Sequence, residues 1–504
     1  MNRLNRTTAP AGVRLGASAP DRTGIVHLGL GNFHRAHAAV DTALAMAAAG
    51  GDWGVVGVSN RSRRVVDALA EQDGLYSILE LTPQGESVGV VDVHRAWLVA
   101  AEEPDAVVAA IADPQHRVVT LTISEKGYHR SAVTGHLDLT DPGIAADLGR
   151  SGAPRTPLGQ LATGLWTRAE ASQAPITVLS CDNMQSAGHA TRAVVLEYLA
   201  AAGAPDAVLE RIASTVTFPN AMVDRIVPAT SDQTRADVDR LLGLHDEVPV
   251  PAEQFTMWVL EDRFAAGRPA WEAAGAIFSD EVEKYELVKL RLLNGSHSLI
   301  AYLGALDGRT TIPAATGEEF VARCVNAAIE DEYLPSIALP SGFDPDHYVG
   351  ELFRRWSNTG LADRTARVGS DGSTKLLQRV PEPALRLLRQ DVVPQQMALT
   401  VAAWIACVAP PSGFDPGPVA AAIDEPARAA LAAATARAGS VQDHVAAVMA
   451  GGFFPAELVE HVPFTERVGE LVTAIVRDGV RTAAREALDA RLPSAVQTPT
   501  SKES

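Results

Sequence analysis

The stretch TGIVHLGLGNFHRAHAAVDTALAMAAAGG, which begins at Thr23, constrains the fold more than any other part of the chain. It runs from an apolar segment at Ile25–Leu30, through glycines at 29 and 31, into a helical pattern that closes on Gly50 and Gly51. That order predicts strand, tight turn, helix. In a dinucleotide site such glycines permit the bend and let the backbone approach a pyrophosphate, which the next helix's N-terminus attracts. Gly29, Gly31, Asn32 and Phe33 are therefore cofactor-binding candidates. His34 stands where GxGxxG has its third glycine, and glycine turns between strand and helix also occur with no ligand at all.

The next apolar run, WGVVGVS from Trp53 to Ser59, completes a βαβ unit at the expected distance. An NAD site usually carries an acid at this strand end, but here the chain reads Ser59-Asn60-Arg61-Ser62-Arg63-Arg64. Asn60 and Arg61 become cofactor candidates, and the three arginines leave NADP open beside NAD. Equally, the arginines fit the solvated face of the following helix. Strand-like runs at Leu75–Leu81, Ser87–Val99, Val118–Ile123 and Ile176–Cys181, with helical patterns between several of them, complete the expectation of an α/β domain.

Polar residues just beyond such strands are ligand candidates, because doubly wound sheets bind at the carboxyl ends of their strands. Glu125 follows VVTLTIS, and Asp182 and Asn183 follow ITVLSC. The alternative for the latter pair is capping of the next helix. Asp224 and Arg225 interrupt an apolar run between Pro219 and Pro228, where they could serve a ligand or pair with each other.

After about residue 280 the pattern turns Ala- and Leu-rich and helical, with loops at PSGFDPD and PPSGFDPGP. Within KYELVKLRLLNGSHSLIAYLGAL, Lys284–Leu306, no proline interrupts an apolar helical pattern. At roughly 100° per residue, Asn294 lies about 140° and His297 about 80° round from Lys289, so a lysine, an amide and an imidazole fit one strip. The plain alternative has Lys289 and Arg291 reaching out to solvent, His297 as a core histidine and Asn294 marking a kink before Gly295. The Gly-rich segment RTARVGSDGSTKLLQR adds Arg364, Arg367 and Lys375, either facing a ligand or simply exposed.

A chain of 504 residues with 47% apolar and 21% charged residues is a globular chain of more than one domain. Its net charge of −18 argues against nucleic acid and anionic membrane as partners and for a small molecule. The longest uncharged apolar run, Met397–Ala409, falls short of the roughly 20 residues of a membrane span and reads as a core helix. Cys181, Cys324 and Cys407 are far apart and odd in number, which suits a reducing compartment and shows no zinc-ligand spacing. The amino end lacks the apolar core of a secretory signal, so the expectation is a cytoplasmic protein, taken as a monomer. The expected division is a flexible arm at 1–22, a Rossmann-like NAD(P)-binding domain at 23–280, a mainly helical substrate and catalytic domain at 281–493 and a flexible tail at 494–504.

Taken in order, GLGNFHRAH, EKGY at 125–128, SCDNMQ at 180–185, FPNAMVDRI at 218–226, WVLEDRF, AGRPAWE and KLRLLNGSH at 289–297 resemble the mannitol dehydrogenase family of polyol-specific long-chain dehydrogenases and reductases. The resemblance spans nearly the whole chain and implies a metal-independent NAD(P)-dependent oxidoreductase of sugar alcohols or sugar acids. It implies Lys289 as general base, Asn294 and Asn183 as amides on the reacting oxygen, and His297 and Asp224 as groups that position substrate. It further implies Glu125 as a proton path to solvent and Arg367 and Lys375 as substrate contacts. A lysine acting as base near neutral pH needs a depressed pKa, and so Lys289 is expected to be buried. Mannitol with fructose, or mannonate with fructuronate, is the implied substrate pair, and NGSH at 294–297 leans toward the fructuronate reductase branch. Tagaturonate or a hexitol phosphate is the alternative within the family. A silent nucleotide-binding regulator is the alternative outside enzymes, and it would have no use for the three polar residues of the 289–297 helix.

Overall fold

A computed structural model of the protein describes residues 2–16, 18, 20–131, 134–149 and 152–490. The expected tail at 494–504 and the last residues of the expected helical domain, 491–493, lie outside the described residues. The described residues form two compact units, one up to Tyr285 and one from Glu286.

The first unit is organised on a parallel sheet. Its strands are β1 (Thr23–Leu28), β2 (Gly54–Ser59), β5 (His94–Val99), β6 (Val118–Leu121), β7 (Ile176–Ser180) and β8 (Val216–Thr217), in the order β5-β2-β1-β6-β7-β8. Alternation along each strand divides the core between two faces. Ile25, Val55 and Val118 pack with Ala39, Ala43 and Met46 of the helix Ala38–Ala49. Their neighbours Val26, Val56 and Val119 pack with Leu158, Leu161 and Leu165 of the helix Pro157–Ala171. A sheet covered on both faces explains why these strands read as continuous apolar runs. Strand order reverses at β1, which has β2 on one side and β6 on the other, and this fixes the ligand-binding edge at the carboxyl ends of β1 and β6.

Two three-stranded sheets complete this unit. One holds β3 (Tyr76–Thr82), β4 (Gly85–Val91) and β10 (Val250–Glu253), and the other β9 (Ala221–Asp224), β11 (Met257–Leu260) and β12 (Ile277–Phe278). The run at 87–99, read as one strand, is two. β4 pairs antiparallel with β3, whereas β5 joins the large sheet beside β2. The chain changes sheet at Asp92, a buried carboxylate held 2.7 Å from Arg6 Nη2. That ion pair also corrects the expectation of a loose arm at 1–22. Leu4 is fully buried with its N–H on His245 O at 2.8 Å, and Leu15 donates to Val90 O at 2.8 Å.

The second unit is helical. Its central helix, Gln395–Val408, is buried at every residue from Gln396 to Val408, as a core helix must be. Among the described residues no helix is long and apolar enough to cross a membrane. The helix bearing Lys289 departs from expectation. Val282–Val288 and Ser296–Leu306 are α-helical, but Lys289–Gly295 between them is π-helical, with hydrogen bonds of the i→i+5 kind. At roughly 4.4 residues per turn, Asn294 then lies only about 50° from Lys289 in projection, against about 140° on an α-helix. The wider turn aligns the lysine and the amide better than the sequence arithmetic does.

Candidate active site

In the first unit the loops after β1, β6 and β7 are tied into one edge. Gly29 has φ +102°, and a Cβ there would sit 2.1 Å from Thr122 O, so both conformation and space demand glycine. Thr122 Oγ1 donates to Gly29 O at 2.8 Å, and His27 Nε2 lies 3.0 Å from the same carbonyl. A carbonyl only accepts, so Nε2 carries the His27 proton and Nδ1 accepts from Thr120 Oγ1 at 2.8 Å. Burial keeps this ring neutral, with its pKa lowered to about 3. His34, in place of a third glycine, stacks flat on His27 with ring centroids 3.4 Å apart. The close helix–strand packing that a glycine would allow is achieved here by ring stacking.

Above Gly31 the situation is the reverse of that at Gly29. A Cβ there would meet only Gly29 O, at 3.7 Å, leaving open space against bare backbone of the kind a pyrophosphate needs. The turn fits a dinucleotide. Asn32 has a structural task, since its amide donates to Thr230 Oγ1 at 3.1 Å and accepts from Arg35 Nη2 at 2.8 Å. Phe33 stacks on His37 at 5.1 Å. At the end of β2, Asn60 and Arg61 are exposed. The arginine cluster divides: Arg63 pairs with Glu102 and Asp67, Arg64 reaches Glu247 at 4.0 Å, and Arg61 makes no ion pair among the described residues.

Asp182 does not cap the following helix. Its carboxylate accepts Ile123 N–H at 3.0 Å, Ser124 N–H at 2.9 Å and Tyr128 O–H at 2.8 Å, which pins the loop after β6 to the loop after β7. Ser124 is held at φ +64°, and the short 3₁₀ turn Glu125–Tyr128 follows it. Glu125 is thereby presented at the surface, its carboxyl raised above the ordinary range first by loss of solvent and then by the Asp182 charge. Asn183, next to Asp182, is exposed. Asp224 is buried at the end of β9, while Arg225 turns to Glu80 Oε1 at 3.3 Å and Glu253 O at 2.9 Å.

In the second unit the helix through Lys289 is buried from Val288 to Ala305 except at Lys289, Leu290, Asn294 and His297, which are half-buried. Lys289 is thus less enclosed than expected. Arg291 does not reach for solvent: it is buried, pairs with Glu382 and donates to Ser336 Oγ at 3.0 Å. The His297 ring lies 5.8 Å from Trp356. Lys375 is half-buried with Nζ donating to Val368 O at 3.3 Å, and burial, aided by the neighbouring Arg379 charge, lowers its pKa to about 8. Arg367 lies at the surface, held by both carboxylate oxygens of Asp363, at 2.7 Å for Nε.

Two elements escaped the sequence reading. Tyr128 links Asp182 to Ser180, with its hydroxyl 2.7 Å from Ser180 Oγ. Arg379 donates Nη1 to Asn294 O at 2.9 Å and to Ser298 Oγ at 2.8 Å. The available signal was its position four residues after Lys375, on the same face of the helix Gly372–Arg379.

A doubly wound sheet with an open glycine turn at its switch point, followed by a helical unit, defines a dehydrogenase of the Rossmann type. The chain belongs to the mannitol dehydrogenase family: the mannitol dehydrogenase Rossmann domain matches residues 23–273, and the family's C-terminal domain matches 281–476. It is an oxidoreductase of polyols or sugar acids. D-mannonate oxidoreductase of Escherichia coli (strain K12) is 37% identical over 76% of this chain and 79% of that protein. Mannitol 2-dehydrogenase of Phaeosphaeria nodorum is 34% identical over 95% of this chain and 83% of the relative. Among solved structures, Pseudomonas fluorescens mannitol 2-dehydrogenase in ternary complex with NAD and D-mannitol aligns at a TM-score of 0.82, with 33% identity, over 97% of this chain and all of that one.

Proposed function

We propose that the protein interconverts a secondary alcohol and a ketone on a six-carbon polyol or sugar acid, either mannitol and fructose or mannonate and fructuronate. The observation that carries this reading is the pattern of exposure on the buried helix, whose half-open polar positions are Lys289, Asn294 and His297. Alcohol oxidation needs a base, a donor to the reacting oxygen and a group that places the substrate, and a lysine, an amide and an imidazole are side chains of those three kinds.

In this mechanism Lys289 Nζ, in its neutral form, takes the proton from the substrate hydroxyl. The side-chain amides of Asn294 and Asn183 donate to the same oxygen and favour the alkoxide as charge develops on it. His297 and Asp224 hold the neighbouring hydroxyls, and Lys375 and Arg367 hold the far end of the chain. Lys375 suits a carboxylated or a hydroxylated end. Glu125 hands the proton on to water. NAD or NADP, when bound at the Gly29–Gly31 turn, supplies the hydride acceptor. Lysine and amides here take the tasks that a metal fills in other alcohol dehydrogenases.

The test is absorbance at the reduced-nicotinamide band with fructose, fructuronate and tagaturonate, each with NADH and with NADPH. Oxidation of the cofactor with one of these ketoses is expected. Failure with all six combinations overturns the reading.

A further inference from the structure

The π-helical turn at Lys289–Gly295 needs support, because widening a helix disturbs the register of its carbonyls with the α-helical bonds that follow. Arg379 provides it from another helix. Its Nη1 donates at once to Asn294 O (2.9 Å) and to Ser298 Oγ (2.8 Å), one on each side of the point where π gives way to α at Ser296. Ser298 Oγ lies 3.5 Å from the same Asn294 carbonyl, so guanidinium, carbonyl and hydroxyl form a closed triangle. On the turn's other flank Gly295 presses on Tyr333, where a Cβ would come within 2.6 Å of Cζ and Oη and any side chain would push the turn away.

What Arg379 does not do is equally informative. Among the described residues no carboxylate pairs with it, and its Nε is buried without a partner. Arg379 is half-buried, and burial lowers its pKa; a cation so placed is ordinarily matched by an acid, since an unmatched desolvated charge is costly. Here every side-chain hydrogen bond that Arg379 makes among the described residues goes to the end of the π turn. Two neutral oxygens hold a cation whose Nε–H is left unused, an arrangement that stability alone does not favour.

We propose that Arg379 is a positioning residue for the reaction: it holds the Lys289–Gly295 turn in its π form, so that the Asn294 amide and the Lys289 amine project from one face. The inference rests on the roles proposed above for Lys289 and Asn294. Through α geometry the two would diverge by about 140°, and a misplacement of about 1 Å can cost about 100-fold in rate.

The test compares wild type, R379Q and R379K as full-length protein, with kcat and KM for the ketose that wild type reduces and with cofactor Kd from quenching of intrinsic fluorescence. R379Q is expected to lose about 10- to 100-fold in kcat with cofactor Kd within about 3-fold of wild type. R379K, which keeps a cationic donor, is expected to recover part of that loss. A wild-type kcat in R379Q overturns the proposal, as does a loss of cofactor affinity equal to the loss of kcat, or an R379K no better than R379Q. If R379Q does not fold, R379K decides by itself: a kcat reduced about 3-fold or more with intact cofactor Kd supports the proposal, and a wild-type kcat overturns it. Lys289→Ala run beside them separates the two readings. Wild-type kcat in Lys289→Ala removes the base role, whereas inactive Lys289→Ala with fully active R379Q removes only the positioning role.

Discussion

The carboxylate of Asp182 accepts the backbone N–H of Ser124 at 2.9 Å, joining two loops 58 residues apart and holding Ser124 at φ +64°. A left-handed serine is unfavourable, and the three donors converging on Asp182 hold it there. Asp182→Asn replaces one acceptor oxygen by an NH₂ group facing a donor. The expected result is a loss of about 1.5–3 kcal/mol in urea unfolding, the range for hydrogen bonds to a charged group. The same substitution removes the negative charge that helps to raise Glu125. The Glu125 carboxyl, followed by carbon-13 NMR, is expected to titrate at lower pH in the variant, and an unmoved titration counts against the electrostatic link.

Lys289→Ala is expected to lower kcat by about 100- to 10,000-fold, the usual worth of a positioned general base. Cofactor affinity should stay near wild type, because the lysine acts on the substrate proton and not on the dinucleotide. Steady-state rates and a fluorescence titration of NADH measure the two effects separately. A fall in cofactor affinity matching the fall in kcat would show a binding lysine and not a base.

What could be read in the sequence was what short range decides. The turn at Gly29 was legible because strand period, glycines and helix pattern are adjacent, and the parallel sheet followed from apolar runs that are buried on both faces. The break in the run at 87–99 was not legible, because Asp92 has its partner Arg6 86 residues away. Nor was the clamp on Asn294, whose donor Arg379 is 85 residues downstream. Asp182 stands out in the sequence as a polar residue beyond a strand, yet two of its three partners, the N–H groups of Ile123 and Ser124, carry no side-chain signal at all. The π turn is the plainest case: residue spacing assumes one helical register, and only the hydrogen bonds reveal another.

The arginines after β2 allow a sharper test of cofactor choice than the sequence did. Arg63 is occupied by Glu102 and Asp67, whereas Arg61 has no ionic partner among the described residues. If the strand end reads a 2′-phosphate, Arg61→Ala should weaken NADPH about 10-fold or more while leaving NADH nearly unchanged, since a charge-assisted contact to phosphate is absent with NADH. Arg63→Ala should change either cofactor by about 2-fold at most, as surface pairs contribute little. Kd values for both cofactors with both variants decide the matter, and equal losses for NADH and NADPH in Arg61→Ala would return Arg61 to the solvated surface.

Glu332 gives the second unit a pH-dependent stability. It is buried in the π-helical segment Ala328–Tyr333 and accepts Gln396 N–H at 2.6 Å and Met397 N–H at 2.8 Å, at the start of the central helix. Those donors favour the carboxylate and burial favours the acid. Burial wins, lifting the pKa from 4.5 to about 8. Below pH 4.5 both folded and unfolded states hold the proton. Between 4.5 and about 8 the unfolded chain releases it while the folded chain keeps it, so each rise in pH favours unfolding until the folded group ionises as well. Glu332→Gln fixes a neutral group at this position and removes that dependence. Urea unfolding of wild type and variant at pH 5, 6.5 and 8 should show the stability difference moving steadily in the variant's favour as pH rises. A difference that stays constant across the three would mean that Glu332 ionises in the folded protein near its ordinary pH, with the helix N–H groups outweighing burial.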